Sequence, residues 1–316
     1  MRKKYKFTLK QNVYYFLSDI TSFFSIFHFS SKRINGISVM IRVKNEEDWV
    51  GKSLKSIERF ADEVIIIENN SDDKTIEKIK EIMTDYAIPI KLYQDKTNDI
   101  CELSNKALSC TSFRWIFRWD ADFIAYISGR RNIINLRNYL LSLPNKFYLF
   151  YPITISFAGD LLHVKKNNEF HSEGYIHTFH KKLKYIKKGR FEVLKVPLFY
   201  KIKRIHEIYF VHIGSAKPQE RLLYRSFWLY WLKANKNGKY PKINDYIKEQ
   251  SKINWDSISL TEITKKEVEE IIKSNLVKYD ENEFGEYPLL LKKTINNLPF
   301  KIIYKNGKPF SRSDLW

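Results

Sequence analysis

Cysteine is scarce in this chain: among 316 residues only Cys101 and Cys110 carry a thiol. Two thiols exclude a disulfide framework and a four-cysteine zinc site, and a reducing cytoplasm is the simplest home. Glycine-rich loops are lacking too. Neither the G-x-G-x-x-G pattern nor a P-loop run occurs, which argues against a dinucleotide-dependent oxidoreductase or a P-loop enzyme. Long apolar runs are also missing. The N-terminal stretch is rich in Tyr14, Tyr15, Phe16, Phe23, Phe24, Phe27 and Phe29, but Ser18, Asp19, Thr21 and Ser22 make it too polar for a spanning helix. No small-residue cleavage site follows it.

Acidic side chains are outnumbered: the formal net charge is +19, with a pI near 9.6. Such a balance favours contact with something anionic, whether nucleic acid, acidic lipid or a phosphorylated substrate. Residues 1–35 open on a basic cluster, Arg2, Lys3, Lys4 and Lys6. They read either as an interfacial amphipathic segment on an anionic bilayer or as an element packed on the chain's own core. At the other end, 216–316 is expected to be a helical extension. Its strongest element is the apolar run from Glu220 to Leu232, which reads as a core-packing helix. The Lys-rich stretch 239–316 shows no internal repeat.

Between these ends the pattern is that of a βαβ sheet. Ile37-Ser38-Val39-Met40-Ile41 reads as a strand, and Val50, Leu54, Ile57 and Phe60 then recur at helical spacing. Val64-Ile65-Ile66-Ile67 reads as a fully buried second strand. Ser71, Asp72 and Asp73 offer capping oxygens to a helix whose stripe is Ile76, Ile79 and Met83. A third strand is expected at Pro89-Ile90-Lys91-Leu92-Tyr93, a helix from Ile100 to Ser109, and a fourth strand from Trp115 to Trp119. Ligands of open α/β sheets bind beyond the carboxyl ends of the strands, where each polar cluster falls.

The most informative cluster is Arg118-Trp119-Asp120-Ala121-Asp122-Phe123. Asp120 and Asp122 are two apart, so a strand would put them on one face, and Mg²⁺ or Mn²⁺ selects carboxylate oxygens. Asp-x-Asp alone recurs in surface turns; the order of the preceding motifs gives it weight.

These elements resemble the inverting family 2 glycosyltransferases of the GT-A fold, and within them the branch that builds lipopolysaccharide core and capsule. Ile41-Arg42-Val43-Lys44-Asn45-Glu46-Glu47 looks like the end of the family's first strand, which lies against the nucleotide. Glu68-Asn69-Asn70-Ser71-Asp72-Asp73-Lys74-Thr75 resembles its Asp-x-Gly-Ser-x-Asp-x-Thr motif, with Glu68 at the nucleobase-binding position and Asn70 in place of Gly. Leu103-Ser104-Asn105-Lys106-Ala107 resembles the Ala-Arg-Asn-x-Gly helix start, with Ser104 for the usual Arg. The acidic pair matches well, though Phe123 stands where many members have a third acid. Glu173, in the segment from His171 to Lys181, falls where members carry the catalytic acid or base, with Glu192 and Asp160 as rivals. His212, in Phe210-Val211-His212-Ile213-Gly214-Ser215, matches a late-strand histidine that completes a metal shell.

The resemblance implies a mostly parallel, mixed α/β sheet flanked by helices over 36–215, and a metal-dependent inverting transfer from a nucleotide sugar, UDP favoured, to a glycan or lipid-linked glycan acceptor. It assigns Arg42, Asn45, Glu46, Glu68, Asn70, Asn105, Lys106 and Asp120 to the nucleotide sugar, and Asp120, Asp122 and His212 to Mn²⁺ or Mg²⁺. The expected location is cytoplasmic, peripheral on the inner face of an anionic membrane, with no nucleic-acid partner. The trio His171, His177 and His180 invites zinc, but no acid or cysteine pattern completes it. A sugar nucleotidyltransferase is the enzymatic rival, though the glycines expected around Lys44 are missing. A basic nucleic-acid or membrane-binding protein is the rival outside enzymology, and it leaves the ordered acidic motifs unexplained.

Overall fold

The computed structural model describes residue 20 and residues 32–167, 169–188, 191–217, 276–295, 302–305 and 308–311. The expected N-terminal segment, but for its last residues, and the apolar run from Glu220 to Leu232 lie outside the described residues. The chain divides into two compact units, one of 1–155, 170–212 and 286–292, the other of 156–169, 213–285 and 293–316.

The first unit opens with β1 (Ile37–Val43), α1 (Val50–Ile57), β2 (Glu63–Glu68), α2 (Thr75–Met83), β3 (Ile90–Gln94), α3 (Ile100–Ser109), β4 (Trp115–Asp120), β5 (Phe123–Ala125) and α4 (Ile133–Ser142). There follow β6 (Tyr148–Ala158), whose residues from Ser156 belong to the second unit, and β7 (Asp160–Lys165), wholly in the second. The first unit resumes with β8 (Phe170–Ser172), β9 (Ile176–Thr178), β10 (Lys184–Lys188), β11 (Phe191–Lys195), β12 (Lys201–Ile205) and β13 (Phe210–Ser215), the last passing into the second unit after His212. Its sheet runs β6-β9-β4-β1-β2-β3. The pairs of β1 with β2, β1 with β4 and β2 with β3 are parallel, while β9 is antiparallel to both β4 and β6. This is the mixed, mostly parallel sheet flanked by helices expected of a GT-A fold.

Helices cover both faces, so the central strands read as unbroken apolar runs. Ile37, Val39, Ile41 and Val43 of β1 pack with Leu54 and Ile57 of α1 and with Phe117 and Trp119 of β4. Met40 points the other way, joining Ile65 and Ile67 of β2 and Cys101, Leu103 and Ala107 of α3. Full burial of such side chains contributes roughly 1.5–3 kcal/mol each. Within the first layer Phe117, Trp119, Phe123 and Phe210 form an aromatic cluster of edge-to-face and tilted pairs, and the Trp119 indole donates to Ser53 Oγ at 2.8 Å.

One local expectation is met, with Asp73 as the capping oxygen, and one changes. The residue before α2 is Lys74, which caps nothing with its side chain; Asp73 Oδ1 accepts from the Thr75 amide at 3.0 Å instead. In the C-terminal part, the described residues hold β14 (Leu276–Lys278), α5 (Glu281–Phe284), α6 (Leu289–Ile295), β15 (Ile302–Lys305) and β16 (Lys308–Ser311). The expected helical extension is thus mixed where it is described. Leu276-Val277-Lys278 pairs antiparallel with β7 inside the second unit, a non-local contact that periodicity cannot signal. Among the described residues no helix is long and apolar enough to cross a membrane.

His177 of β9 is fully buried, between Leu149 of β6 and Ile116 of β4 in register. Its Nδ1 faces the Thr178 carbonyl and its Nε2 faces the Tyr185 hydroxyl, both at 3.4 Å. Burial pushes the imidazole down from 6.5 to about 4. Between those values the unfolded chain binds the proton and the folded one does not, so this contribution is whole above pH 6.5 and shrinks as pH falls toward 4. The expected loss from this residue is about 3 kcal/mol. Urea denaturation at pH 7 and pH 4 should show a distinctly smaller loss for His177→Leu than for the wild type.

Candidate active site

The ends of β1 and β2 are laced together by their loops. Asn45 and Asn70 both hold left-handed backbone, with φ of 55° and 50°, a conformation asparagine tolerates better than most residues. That is how Asn70 serves where the resemblance has a glycine. Asn45 donates its amide to Ser71 Oγ at 3.0 Å and accepts from the Asp72 amide at 2.8 Å. The Glu46 amide donates to Thr75 Oγ1 at 2.7 Å, and the Glu47 carboxylate accepts from the Lys74 amide at 2.9 Å. Lys44 Nζ donates to the carbonyls of Asn69 and Asn70, and burial lowers its pKa.

Glu68 closes β2 and is wholly buried. One oxygen accepts from the Ser71 amide at 2.6 Å and the other from Gln94 Nε2 at 3.4 Å. This locks the turn that presents 69–73. Behind it, α3 is capped by Asp99, which accepts from the Cys101 amide at 2.7 Å. The Asn105 side chain exchanges both of its hydrogen bonds with the Tyr185 backbone, at 2.9 and 2.8 Å. This pair pins β10 to α3. Lys106 reaches Asp95 at 2.5 Å.

The acidic turn departs from simple strand geometry. β4 ends at Asp120, and Ala121 and Asp122 form a turn before β5, so the two carboxylates are not alternate residues of one strand. Asp120 is partly exposed and Asp122 is buried. β13 pairs with β5 so that His212 lies opposite Phe123, which brings His212 Nε2 to 3.4 Å from Asp122 Oδ2. The ring edge-packs on Phe123 at 5.0 Å between centroids. The residue in the third-acid position thus seats the histidine. Among the described residues, no three of His, Cys, Asp and Glu come together as a group that could hold a metal ion. The donor types present, two carboxylates and an imidazole, are ones that Mn²⁺ or Mg²⁺ accepts, and of them Asp122 and His212 lie within reach of each other.

One residue central to this face was not singled out from the sequence: Arg118. Register places Met40 beside Arg118 and Arg42 beside Asp120. The Arg118 guanidinium donates to Glu192 at 2.7 Å and to Glu173 at 2.6 Å, and lies 4.0 Å from Asp120 Oδ1. It also stacks 4.8 Å over the Tyr175 ring. Burial works against its charge, but Asp120, Glu192 and Glu173 outweigh burial and raise its pKa. The signal was available: Arg118 is two residues before Asp120 and so shares its strand face.

Glu173 is half exposed, bound by Arg118 and by His171 Nε2 at 2.9 Å. Burial raises its pKa, but the His171 hydrogen bond and the Arg118 charge prevail and hold it at about 2. Glu192 is buried and saturated: Arg42 at 2.5 Å and Arg118 at 2.7 Å share one oxygen, and Ser104 Oγ donates to the other at 2.6 Å. Asp160 belongs to the second unit, where it is fully buried with its Oδ1 2.6 Å from His163 Nδ1. The trio His171, His177 and His180 is dispersed, onto Glu173, into the core, and against Phe147 and Phe199.

Residues 38–128 match the family model described as glycosyl transferase family 2. No curated protein matches the chain. Among solved structures, a mannosyltransferase from Pyrobaculum calidifontis in complex with GDP-Man and Mn²⁺ is 11% identical over 90% of this chain and 86% of its own, with a TM-score of 0.41. TarS residues 1–349 from S. aureus in complex with UDP-GlcNAc is 12% identical over 87% of this chain and 95% of its own, with a TM-score of 0.40. The same fragment of TarS, in another crystal structure, aligns over 72% of this chain and 77% of its own at 12% identity and a TM-score of 0.37. The matched residues run from Ser38 in β1 through β5 and include the acidic turn.

Proposed function

We propose that the protein is a metal-dependent, inverting glycosyltransferase that moves a sugar from a nucleotide-sugar donor, UDP-sugars first, to a hydroxyl of a glycan acceptor. The observation that carries this reading is the acidic turn at Asp120 and Asp122, at the carboxyl end of β4 inside the matched segment, with His212 beside Asp122 and with Arg118 linking Asp120 to Glu173. Arg42, the loop from Asn45 to Glu46, Glu68 and the turn at Asn70 would hold the nucleotide, at the strand ends where such sheets take ligands. Asp120, Asp122 and His212 would hold Mn²⁺ or Mg²⁺, which when bound neutralises charge on a departing diphosphate.

Glu173 is the base of this reading. It is ionised at neutral pH, half exposed, and fixed by Arg118 and His171, so it can receive the proton of an acceptor hydroxyl that attacks the anomeric carbon. Arg118 and Arg42 set two guanidinium charges against Glu192, Glu173 and Asp120 on this face. The net charge of +19 suits an acceptor bearing phosphates or carboxylates, such as lipopolysaccharide core or capsule.

A melting-temperature screen of UDP-, GDP- and dTDP-sugars with Mn²⁺ tests the reading. One donor class should raise the melting temperature in a concentration-dependent way. Stabilisation by oligonucleotides, with none by any nucleotide sugar, would reject it.

A further inference from the structure

The hairpin of β10 and β11 has two unlike sides. Inward, Tyr185 and its cross-strand partner Leu194 pack on Cys101, Leu103 and Ala107 of α3, and Glu192 ties Arg42, Arg118 and Ser104. Outward, Ile186 and Val193 lie directly opposite each other and are 37% and 41% exposed. Flanking them, Lys184 faces Lys195 as the next outward pair, and Lys188 continues the same side. All three lysines are exposed, as are Lys181 and Lys182 just before the hairpin. Leu198, just after it, is 84% exposed.

In water this face is poorly chosen. Like charges directly opposite on paired strands repel, and two exposed β-branched side chains between them gain nothing from solvent. Against a bilayer with anionic headgroups both features become favourable. The aliphatic pair and Leu198 can enter the headgroup boundary while the lysine stems lie along it and their ammonium groups reach phosphate. Charge complementarity selects the occupant: an apolar centre ringed by lysine suits an acidic lipid surface, whereas a nucleic-acid strand is gripped by stacked aromatics and arginine.

We infer that the outward face of the β10–β11 hairpin, centred on Ile186 and Val193 and ringed by Lys184, Lys188 and Lys195, is a docking surface for an anionic lipid bilayer. It is distinct from the N-terminal basic segment, and it stands whether or not the catalytic reading holds, because its readout is lipid binding. Because Glu192 is on the inner side of the same hairpin, the bilayer would rest on the back of the element that latches the two site arginines.

The test is co-sedimentation of the full chain with vesicles of phosphatidylcholine alone or mixed with phosphatidylglycerol. Wild type is expected to sediment with the mixed vesicles only. Each lysine near such a surface contributes roughly fivefold in partitioning, so Lys184→Glu with Lys195→Glu should weaken binding by at least ~30-fold. Ile186→Asn with Val193→Asn should weaken it too, at low salt as well as high, since an apolar contribution is not screened. Both pairs are exposed, so an unchanged melting temperature certifies folding. Failure of the wild type to bind, or equal binding by both folded variants, overturns the inference. Loss of oligonucleotide binding in the variants, without vesicle binding by the wild type, reassigns the surface to nucleic acid.

Discussion

Glu173→Gln is expected to lower transfer by ~10²–10⁴-fold while leaving donor binding in place, the range an oriented general base typically contributes. Glutamine keeps the shape and can still accept from Arg118 and meet His171, but it cannot take a proton. The rival, Glu192, makes the comparison sharp. Its carboxylate is held by Arg42, Arg118 and Ser104 on a buried face, so Glu192→Gln removes the charge that two guanidinium groups share. Its expected signature is lower stability, because removing one partner of a buried ion pair costs ~3–5 kcal/mol. Turnover and melting curves on both variants separate the roles. A folded Glu173→Gln enzyme with full activity, beside an inactive but stable Glu192→Gln, reverses them. The low pKa of Glu173, about 2, also predicts that its titration leaves no acid limb in kcat/KM between pH 5 and 8.

Asp122→Asn is expected to abolish metal-dependent turnover without unfolding the protein. Asp122 is buried at a turn, near His212, so removing its charge leaves the imidazole without its acidic neighbour and takes one carboxylate from the proposed metal site. Asparagine preserves the volume, which keeps the aromatic cluster of Phe123 and Phe210 intact beneath it. His212→Ala should raise the Mn²⁺ concentration needed for half-maximal rate, since in the proposed site the histidine supplies one donor beside Asp122. Metal titration of the rate measures both. Unaltered Mn²⁺ dependence in Asp122→Asn would remove the acidic turn from the mechanism.

Much of the α/β half was legible because its signals are local. Uninterrupted β-branched content marked β2, and the helical spacing of apolar residues marked α1, while α3 spans the expected Ile100–Ser109. The polar clusters were found at strand ends because parallel sheets leave few other places for them. What escaped is set by contacts far apart in sequence. Arg118 joins Glu173 and Glu192 across 55 and 74 residues, and Asn105 meets Tyr185 across 80. No window contains both partners. The shared face expected of Asp120 and Asp122 failed for a local reason: the strand stops at Asp120, and a turn obeys no alternation. The C-terminal strand β14 escaped for the opposite reason, being three residues that are a strand only by pairing with β7.

The most direct test of the central claim is release of nucleoside diphosphate from a panel of nucleotide sugars by the full chain, with and without Mn²⁺, alongside Asp122→Asn. Release is expected from one donor class, dependent on the metal and lost in the variant while its melting curve is kept. No release from any donor by folded wild type in the presence of Mn²⁺ and a phosphorylated glycan acceptor, or equal release by Asp122→Asn, would contradict it.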